Sequence, residues 1–261
     1  MRKILIVGIN SYIGSNLSKY FKRKNFEVYG TTNKKIKTNK KNIYLNLKKP
    51  KFNFINTKID FAIICASITN IQKCESAPVQ AKIVNVINTI KLIEYLNSKS
   101  IFTLYISSNL VFSGKKSFNN IKEKTNPISK YGKYKLLVEK FIKSRLYKNY
   151  SILRLTKVIS DKSELIKKLK KKIKQKKYIS YEKDYFISPI KIEKVCIVIF
   201  KLLINKNNGI FQLGGKKEYN LNDFIKVHLK KKNYLIKNLN KKKTKWKNYK
   251  NSLETFLPFK V

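Results

Sequence analysis

Tyr131 and Lys135 stand four residues apart in the stretch Tyr131-Gly132-Lys133-Tyr134-Lys135. On a helix they share one face and lie one turn from each other. An ammonium held near a phenol favours the phenolate and lowers its pKa towards working pH, which suits a tyrosine that transfers protons. Just upstream, the apolar run Ile101 to Ile106 reads as a buried strand that stops at two hydroxyl residues, Ser107 and Ser108. A serine there is placed to bind the oxygen that the tyrosine protonates. Spacing alone does not select this pair, because Tyr20/Lys24, Tyr44/Lys48 and Tyr95/Lys99 share it in a chain with 16 tyrosines. Context does: a strand ending in Ser-Ser, a loop with Gly114 and Pro127, then a helix carrying Leu136, Leu137, Phe141 and Ile142.

A second group of residues suits a phosphate. Lys3 to Val7 reads as a short buried strand, followed by Gly8-Ile9-Asn10-Ser11-Tyr12-Ile13-Gly14 and a helix with Ile13, Leu17 and Phe21 on its apolar face. A glycine turn between strand and helix lets backbone amides approach a pyrophosphate at the helix's positive end. The alternative is an ordinary strand–turn–helix connection. Phe26 to Tyr29 reads as the next strand, ending in Gly30-Thr31-Thr32-Asn33-Lys34-Lys35. An acidic residue commonly holds the ribose hydroxyls at such a strand end. Here hydroxyls, an amide and lysines replace it, which suits a 2′-phosphate and favours NADPH over NADH.

The segment YISSNLVFSG…EKTNPISKYGKYK resembles the strand–Ser/Thr–loop–YxxxK segment of the extended short-chain dehydrogenase/reductases, most of all their dTDP-4-dehydrorhamnose reductase branch. The resemblance implies a catalytic set of Ser108, Tyr131 and Lys135. Gly8 and Gly14 match the first and third glycines of the family's GxxGxxG, with Ser11 in place of the second, its β-carbon narrowing the approach to the phosphates. Cofactor contacts are implied for Gly8, Asn10, Ser11, Tyr12, Ile13 and Gly14, for Thr31 and Asn33, and for Asn46-Leu47 against the adenine. Cys65, Ala66 and Ser67 would form a cofactor wall, and Tyr131 and Lys135 would complete the site. Ser107, Asn109 and Arg154 fall on the substrate side; Asn109 stands where the branch usually has aspartate, and Arg154 is structural before substrate-binding. Asn85 matches the family's helix asparagine, a solvated or capping role being the alternative. The segments SILRLTKVIS, DYFISP, IKIEKVCIVIFKLL, GIFQLGG and YKNSLET extend the resemblance along the whole chain.

These residues need a frame. Asn42 to Leu45 and Asp60 to Cys65 read as further strands, and Pro78 to Asn97 as a long helix with Val84, Ile87, Ile90, Leu92, Ile93 and Leu96 mainly inward. Tyr150 to Leu155 is another strand, Ser163 to Lys177 a helix, 209–215 a strand and Leu221 to Leu229 a last helix. The lysine-covered 163–177 helix, with Leu165, Ile166, Leu169 and Ile173 on one face, either packs that face or lies on an anionic membrane. Alternating strands and helices imply an α/β fold with a doubly wound parallel sheet. The expected division is a Rossmann domain at 1–160 that binds NAD(P) and carries the catalytic residues, with a small substrate-binding lobe at 161–261 interleaved with that core.

Bulk properties narrow the function. The 261 residues suffice for a full core, and the longest apolar runs are strand-length, so no membrane span is expected. Met1-Arg2-Lys3 before ILIVG is too short for a signal peptide. Cys65, Cys74 and Cys196 are unpatterned and read as reduced thiols of a cytosolic protein. His228 is the sole histidine, which excludes a Ser-His-Asp hydrolase and a histidine-rich metal site. The net charge of +46 invites a nucleic-acid reading, yet arginine occurs only at positions 2, 23, 145 and 154. Arginine is the usual bidentate reader of bases and phosphates; abundant Lys, Asn, Ile, Tyr and Phe share A/T-rich codons, so compositional bias accounts for the charge and no specific nucleic acid is expected. The function that fits best is an NADPH-dependent, metal-free reduction of a nucleotide-linked 4-keto-deoxysugar for surface polysaccharide synthesis, by a cytoplasmic monomer or homodimer. A sugar-nucleotide epimerase or dehydratase is the nearest alternative, but no carboxylate adjoins Ser108. A non-catalytic NADP-binding regulatory protein or an RNA-binding protein is the other, against which Ser108, Tyr131 and Lys135 stand together.

Overall fold

Ile4 to Val7 and Phe61 to Ile64 are apolar at every position, which suits strands covered on both faces. The computed structural model describes residues 1–52, 55–145, 148–181, 185–230, 234–238, 249–250 and 252–260. Asp184 of DYFISP and Asn251 of YKNSLET lie outside the described residues. Elements follow in the order β1 (Lys3–Val7), α1 (Tyr12–Arg23), β2 (Glu27–Thr32), β3 (Asn42–Tyr44), β4 (Phe61–Ile64), α2 (Ile71–Ser76), α3 (Pro78–Lys82), α4 (Asn88–Ser98), β5 (Phe102–Ser108) and α5 (Lys130–Ser144). Then come β6 (Tyr150–Leu155), β7 (Lys157–Ile159), α6 (Glu164–Lys174), β8 (Ile179–Tyr181), β9 (Pro189–Lys191), α7 (Ile192–Ile204), β10 (Gly209–Leu213), α8 (Leu221–Phe224) and β11 (Ile236–Asn238).

Seven strands form one sheet in the order β10-β6-β5-β4-β1-β2-β3, parallel throughout. Helices cover both faces, so this is the expected doubly wound Rossmann-like architecture. On one face Leu17 and Phe21 of α1 and Val195, Ile199 and Leu202 of α7 pack on Ile4, Ile6 and Leu104. On the other, Leu92 and Leu96 of α4 and Val138 and Ile142 of α5 pack on Leu5, Val7 and Ala62. Small parallel pairs, β7 with β9 and β8 with β11, lie outside the sheet. The apolar stripe of α6 is covered by Ile179, Phe224 and Ile225, so its lysines form the solvated face of a packed helix.

Three features depart from the sequence reading. The expected single helix from Pro78 to Asn97 is α3 and α4 joined by a π turn at Ile83–Ile87. The wider turn shifts which residues face inward: Ile87 is exposed, whereas Asn85, Asn88 and Thr89 are buried. The 221–229 helix likewise passes into a π turn at Ile225–Leu229. Helix α2, capped by Asn70, was not expected. Residues 249–250 and 252–256 run back across the molecule as a strap. Lys250 N donates to Gly114 O (2.8 Å), Asn119 N to Ser252 O (3.0 Å) and Glu254 N to Asn119 O (3.1 Å). Gly114 has φ +77°, and a β-carbon there would meet the Tyr249 ring at 2.0 Å, so glycine is required where the strap crosses. Among the described residues no helix is long and apolar enough to cross a membrane.

Candidate active site

In this sheet the strand order reverses between β1 and β4, and a cleft of about 710 Å³ opens there at the strands' carboxyl ends. Its floor is the glycine turn. Gly8 has φ +84°, and its β-carbon would lie 2.9 Å from Ala66 N; one at Gly14 would lie 2.4 Å from Gly8 O. Ser11 caps α1, its Oγ accepting from Gly14 N (3.0 Å). The serine at the middle glycine position therefore works as a helix cap. Asn10, Tyr12 and Ile13 line the same floor.

The end of β2 lines the cleft beside this floor. Thr31 is buried, and its Oγ1 accepts from Gly8 N (3.1 Å). Thr32 Oγ1 accepts from Asn10 Nδ2 (2.7 Å) and Lys34 N (3.1 Å). Both threonines brace the glycine turn, and the exposed surface at this corner is that of Asn33, Lys34 and Lys37. Lys37 was missed in the sequence. Asn46 and Leu47 lie beside this corner, and Cys65, Ala66 and Ser67 form a wall. Asn85 is neither solvated nor on the cleft surface. It accepts from Ile68 N (2.8 Å) and the Ser67 hydroxyl (3.0 Å) and donates to Ile68 O (2.9 Å), clasping that wall from behind.

Helix α5 begins where Ser129 Oγ accepts from Gly132 N (3.0 Å). A β-carbon on Gly132 would lie 2.0 Å from Leu110 O, so the first turn of α5 sits hard against the 3-10 turn Asn109–Val111. This contact brings Tyr131 and Lys135 to the end of β5, where they line the cleft with Ser107, Ser108 and Asn109. Ser108 Oγ donates to Asn109 Oδ1 (3.2 Å) and accepts from Leu110 N (3.2 Å). Lys135 Nζ donates to Ile106 O (2.8 Å) and lies 4.6 Å from the Tyr105 ring centre and 5.6 Å from that of Tyr131.

Burial lowers the Lys135 ammonium to about 8, against the opposing pull of neighbours that include Glu139. Burial pushes the Tyr131 phenol up, with a hydrogen bond to Ser67 pulling the other way. That reverses the expected depression of the tyrosine. The lysine sits over the rings and is bonded to Ile106 O, and its charge does not offset the desolvation of the phenol oxygen.

Arg154 takes the structural role read for it ahead of substrate binding. It is 4% exposed and turned away from the cleft, with Nη2 donating to Glu139 Oε2 (2.7 Å) and Nη1 to Gln212 Oε1 (3.1 Å). Its long side chain on β6 finds its counter-charge behind β5, so it takes no place on the substrate side. The other tyrosine–lysine pairs stay outside the cleft: Tyr20 packs on Phe200, Tyr44 is exposed, and Tyr95 accepts from Ile55 N. The opposite wall holds residues that the sequence reading did not single out. Lys157, Tyr185, Phe186 and Tyr249 line it, with the Tyr185 and Tyr249 rings stacked 5.3 Å apart at 9°. The aromatic residues of DYFISP and YKNSLET were the available signal, but only the bridge between Tyr185 and Tyr249 reveals that they meet.

The model of the RmlD substrate binding domain matches residues 1–250 of the chain. Among solved structures, a dTDP-4-dehydrorhamnose reductase of Clostridium acetobutylicum is 27% identical, with a TM-score of 0.79 over 91% of this chain and 83% of that one. A hypothetical dTDP-4-dehydrorhamnose reductase of Sulfolobus tokodaii is 25% identical, with a TM-score of 0.83 over 98% and 92% of the two chains. The dTDP-4-dehydrorhamnose reductase of Bacillus anthracis, solved in complex with NADP, shares the fold at 19% identity and a TM-score of 0.80 over 93% and 85%. No curated protein sequence matches the chain significantly.

Proposed function

The chain belongs to the family of the RmlD substrate binding domain, and from that premise we propose that it is an NADPH-dependent reductase of a nucleotide-linked 4-keto-deoxysugar. The dTDP-4-dehydrorhamnose reductases to which it is similar support this reading. The observation that carries it is the meeting of Ser108, Tyr131 and Lys135 at the end of β5, inside a cleft whose floor is the glycine turn.

The residues present fit NADPH. Gly8 and Gly14 close the turn with no room for a β-carbon at either, which leaves Gly8, Asn10 and Ser11 on the cleft floor for a pyrophosphate, and Asn33, Lys34 and Lys37 offer an amide and two cations to a 2′-phosphate. When bound, NADPH supplies the hydride for the keto carbon. Tyr131 supplies the proton to the carbonyl oxygen; its raised pKa keeps the phenol protonated at neutral pH until that transfer. Ser108 donates a hydrogen bond to the same oxygen. Lys135, charged below about pH 8 and oriented by Ile106 O, stabilises the phenolate that forms and holds the nicotinamide ribose. On the opposite wall Lys157 and the Tyr185–Tyr249 stack suit the diphosphate and base of a nucleotide sugar. The protein works as a cytoplasmic monomer or homodimer in surface polysaccharide synthesis, without a specific nucleic-acid partner.

A dehydratase needs a free carboxylate beside the hydroxyl residue. The nearby Glu139 is buried and engaged by Arg154 and Ser107. The test is NADPH oxidation against a panel of nucleotide-linked 4-keto sugars. Turnover of a dTDP-linked 4-keto-6-deoxysugar is expected. Epimerisation of a nucleotide sugar with retained NAD, and no ketone reduction, would overturn the assignment.

A further inference from the structure

We propose that Glu139 is a positioning residue of this site, the buried counter-charge that keeps Lys135 protonated and holds the Ser107–Ser108 strand end in register. The inference rests on the reductase reading, in which Lys135 acts as an ammonium. Glu139 follows Lys135 by four residues on α5, on the same face and one turn deeper, and is 1% exposed. Its Oε1 accepts from Ser107 Oγ (2.5 Å) and Arg154 Nε (3.1 Å), and its Oε2 from Arg154 Nη2 (2.7 Å). Ser107 lies between Ile106, whose carbonyl holds Lys135 Nζ, and Ser108. One carboxylate therefore ties together β5, α5 and β6 directly behind the reacting corner.

A buried carboxylate needs a partner, and Arg154 supplies one. The Ser107 bond is not needed for that pairing, and it reaches into the cleft wall. The groups facing Lys135 are Tyr131 and Glu139 on its own helix, Tyr105 from β5, Cys65 from the end of β4 and Cys74 from α2. Burial pushes both tyrosines and both thiols up, so they are neutral at physiological pH. Glu139 is the carboxylate in this set, and Arg154, paired with it, stands beyond with its guanidinium 5.1 Å from the Phe112 ring centre.

The test compares wild type, Glu139→Gln and Glu139→Asp by the pH dependence of turnover and, separately, of NADPH affinity by fluorescence, with thermal unfolding alongside. Glu139→Gln is expected to move the alkaline midpoint of both curves down by about one pH unit, roughly a tenfold loss near pH 8 that recovers near pH 6.5. Glu139→Asp keeps the charge and should restore the midpoint. Should Glu139→Gln not fold, Arg154→Gln leaves the carboxylate without its cation and is expected to move the same midpoint up instead. A wild-type midpoint in both the Glu139→Gln and Arg154→Gln variants, or in whichever of the two folds, or a loss uniform across pH, would overturn the proposal. A wild type that binds NADPH but reduces no sugar would sink the reductase reading alone, because the affinity curve still tests Glu139. A wild type that binds no NADPH sinks both.

Discussion

At the scale of single residues, the proposed reaction takes Tyr131 as a phenol held in reserve. Its raised pKa and the lowered pKa of Lys135 divide the work: one keeps its proton to give, the other keeps its charge only below about pH 8. Tyr131→Phe should cut turnover by roughly a hundred- to ten-thousand-fold with NADPH affinity retained, since only the proton donor is lost. Lys135→Met should lose both, while Tyr20→Phe and Tyr95→Phe stay active; a turnover assay paired with cofactor titration separates these outcomes. Activity should also fall on the alkaline side with a midpoint near 8, where Lys135 becomes neutral. Stability moves oppositely. Between about 8 and the ordinary lysine value the unfolded chain binds a proton that the folded chain does not, so this lysine adds stability as pH rises through that window, which chemical denaturation at several pH values checks. The Tyr131–Lys135 pair was legible because one helical turn is local. The bracing bond of Thr31 and the ion pair of Arg154 were not legible, because their partners Gly8 and Glu139 are distant in sequence and brought close by the fold.

At the scale of elements, the contact between α5 and the turn after β5 sets the geometry of the site. Gly132 permits it, with no room for a β-carbon against Leu110 O. Gly132→Ala should cost about 1–3 kcal/mol and lower the melting temperature. It should also lower kcat more than it raises the KM for NADPH, since it moves Tyr131 away from Ser108 and leaves the glycine turn untouched. The strands were readable because apolar runs covered on both faces leave a continuous signal. The π turn at 83–87 was not, because one extra residue per turn leaves no mark in a hydrophobic pattern. It places Asn85 behind the 67–68 wall and turns Ile87 outward, the reverse of what a regular helix implies.

At the scale of the whole molecule, the two ends of the cleft differ in what holds them. The Asn33–Lys37 corner is a cationic surface on the Rossmann half, and Lys34→Ala combined with Lys37→Ala should weaken NADPH roughly tenfold while leaving NADH unchanged, a comparison of two titrations. The charge of +46 should add nucleic-acid retention that disappears as salt rises and shows no sequence preference, as lysine–phosphate contacts do; a filter-binding series in salt reads it. The far wall was the least legible part, because Tyr185 and Tyr249 meet through a return of the chain that no local pattern encodes. That return has a thermodynamic consequence. Tyr249 touches the cleft while its neighbours are bonded to Gly114, Asn119 and Gln212, so a ligand that rests on its ring binds the docked strap and not the detached one. Linkage then requires the ligand to shift the strap's equilibrium towards the docked state by as much as docking tightens the ligand. Amide hydrogen exchange at Asn119, Glu254 and Phe256 would report occupancy of a pocket that those three amides never touch.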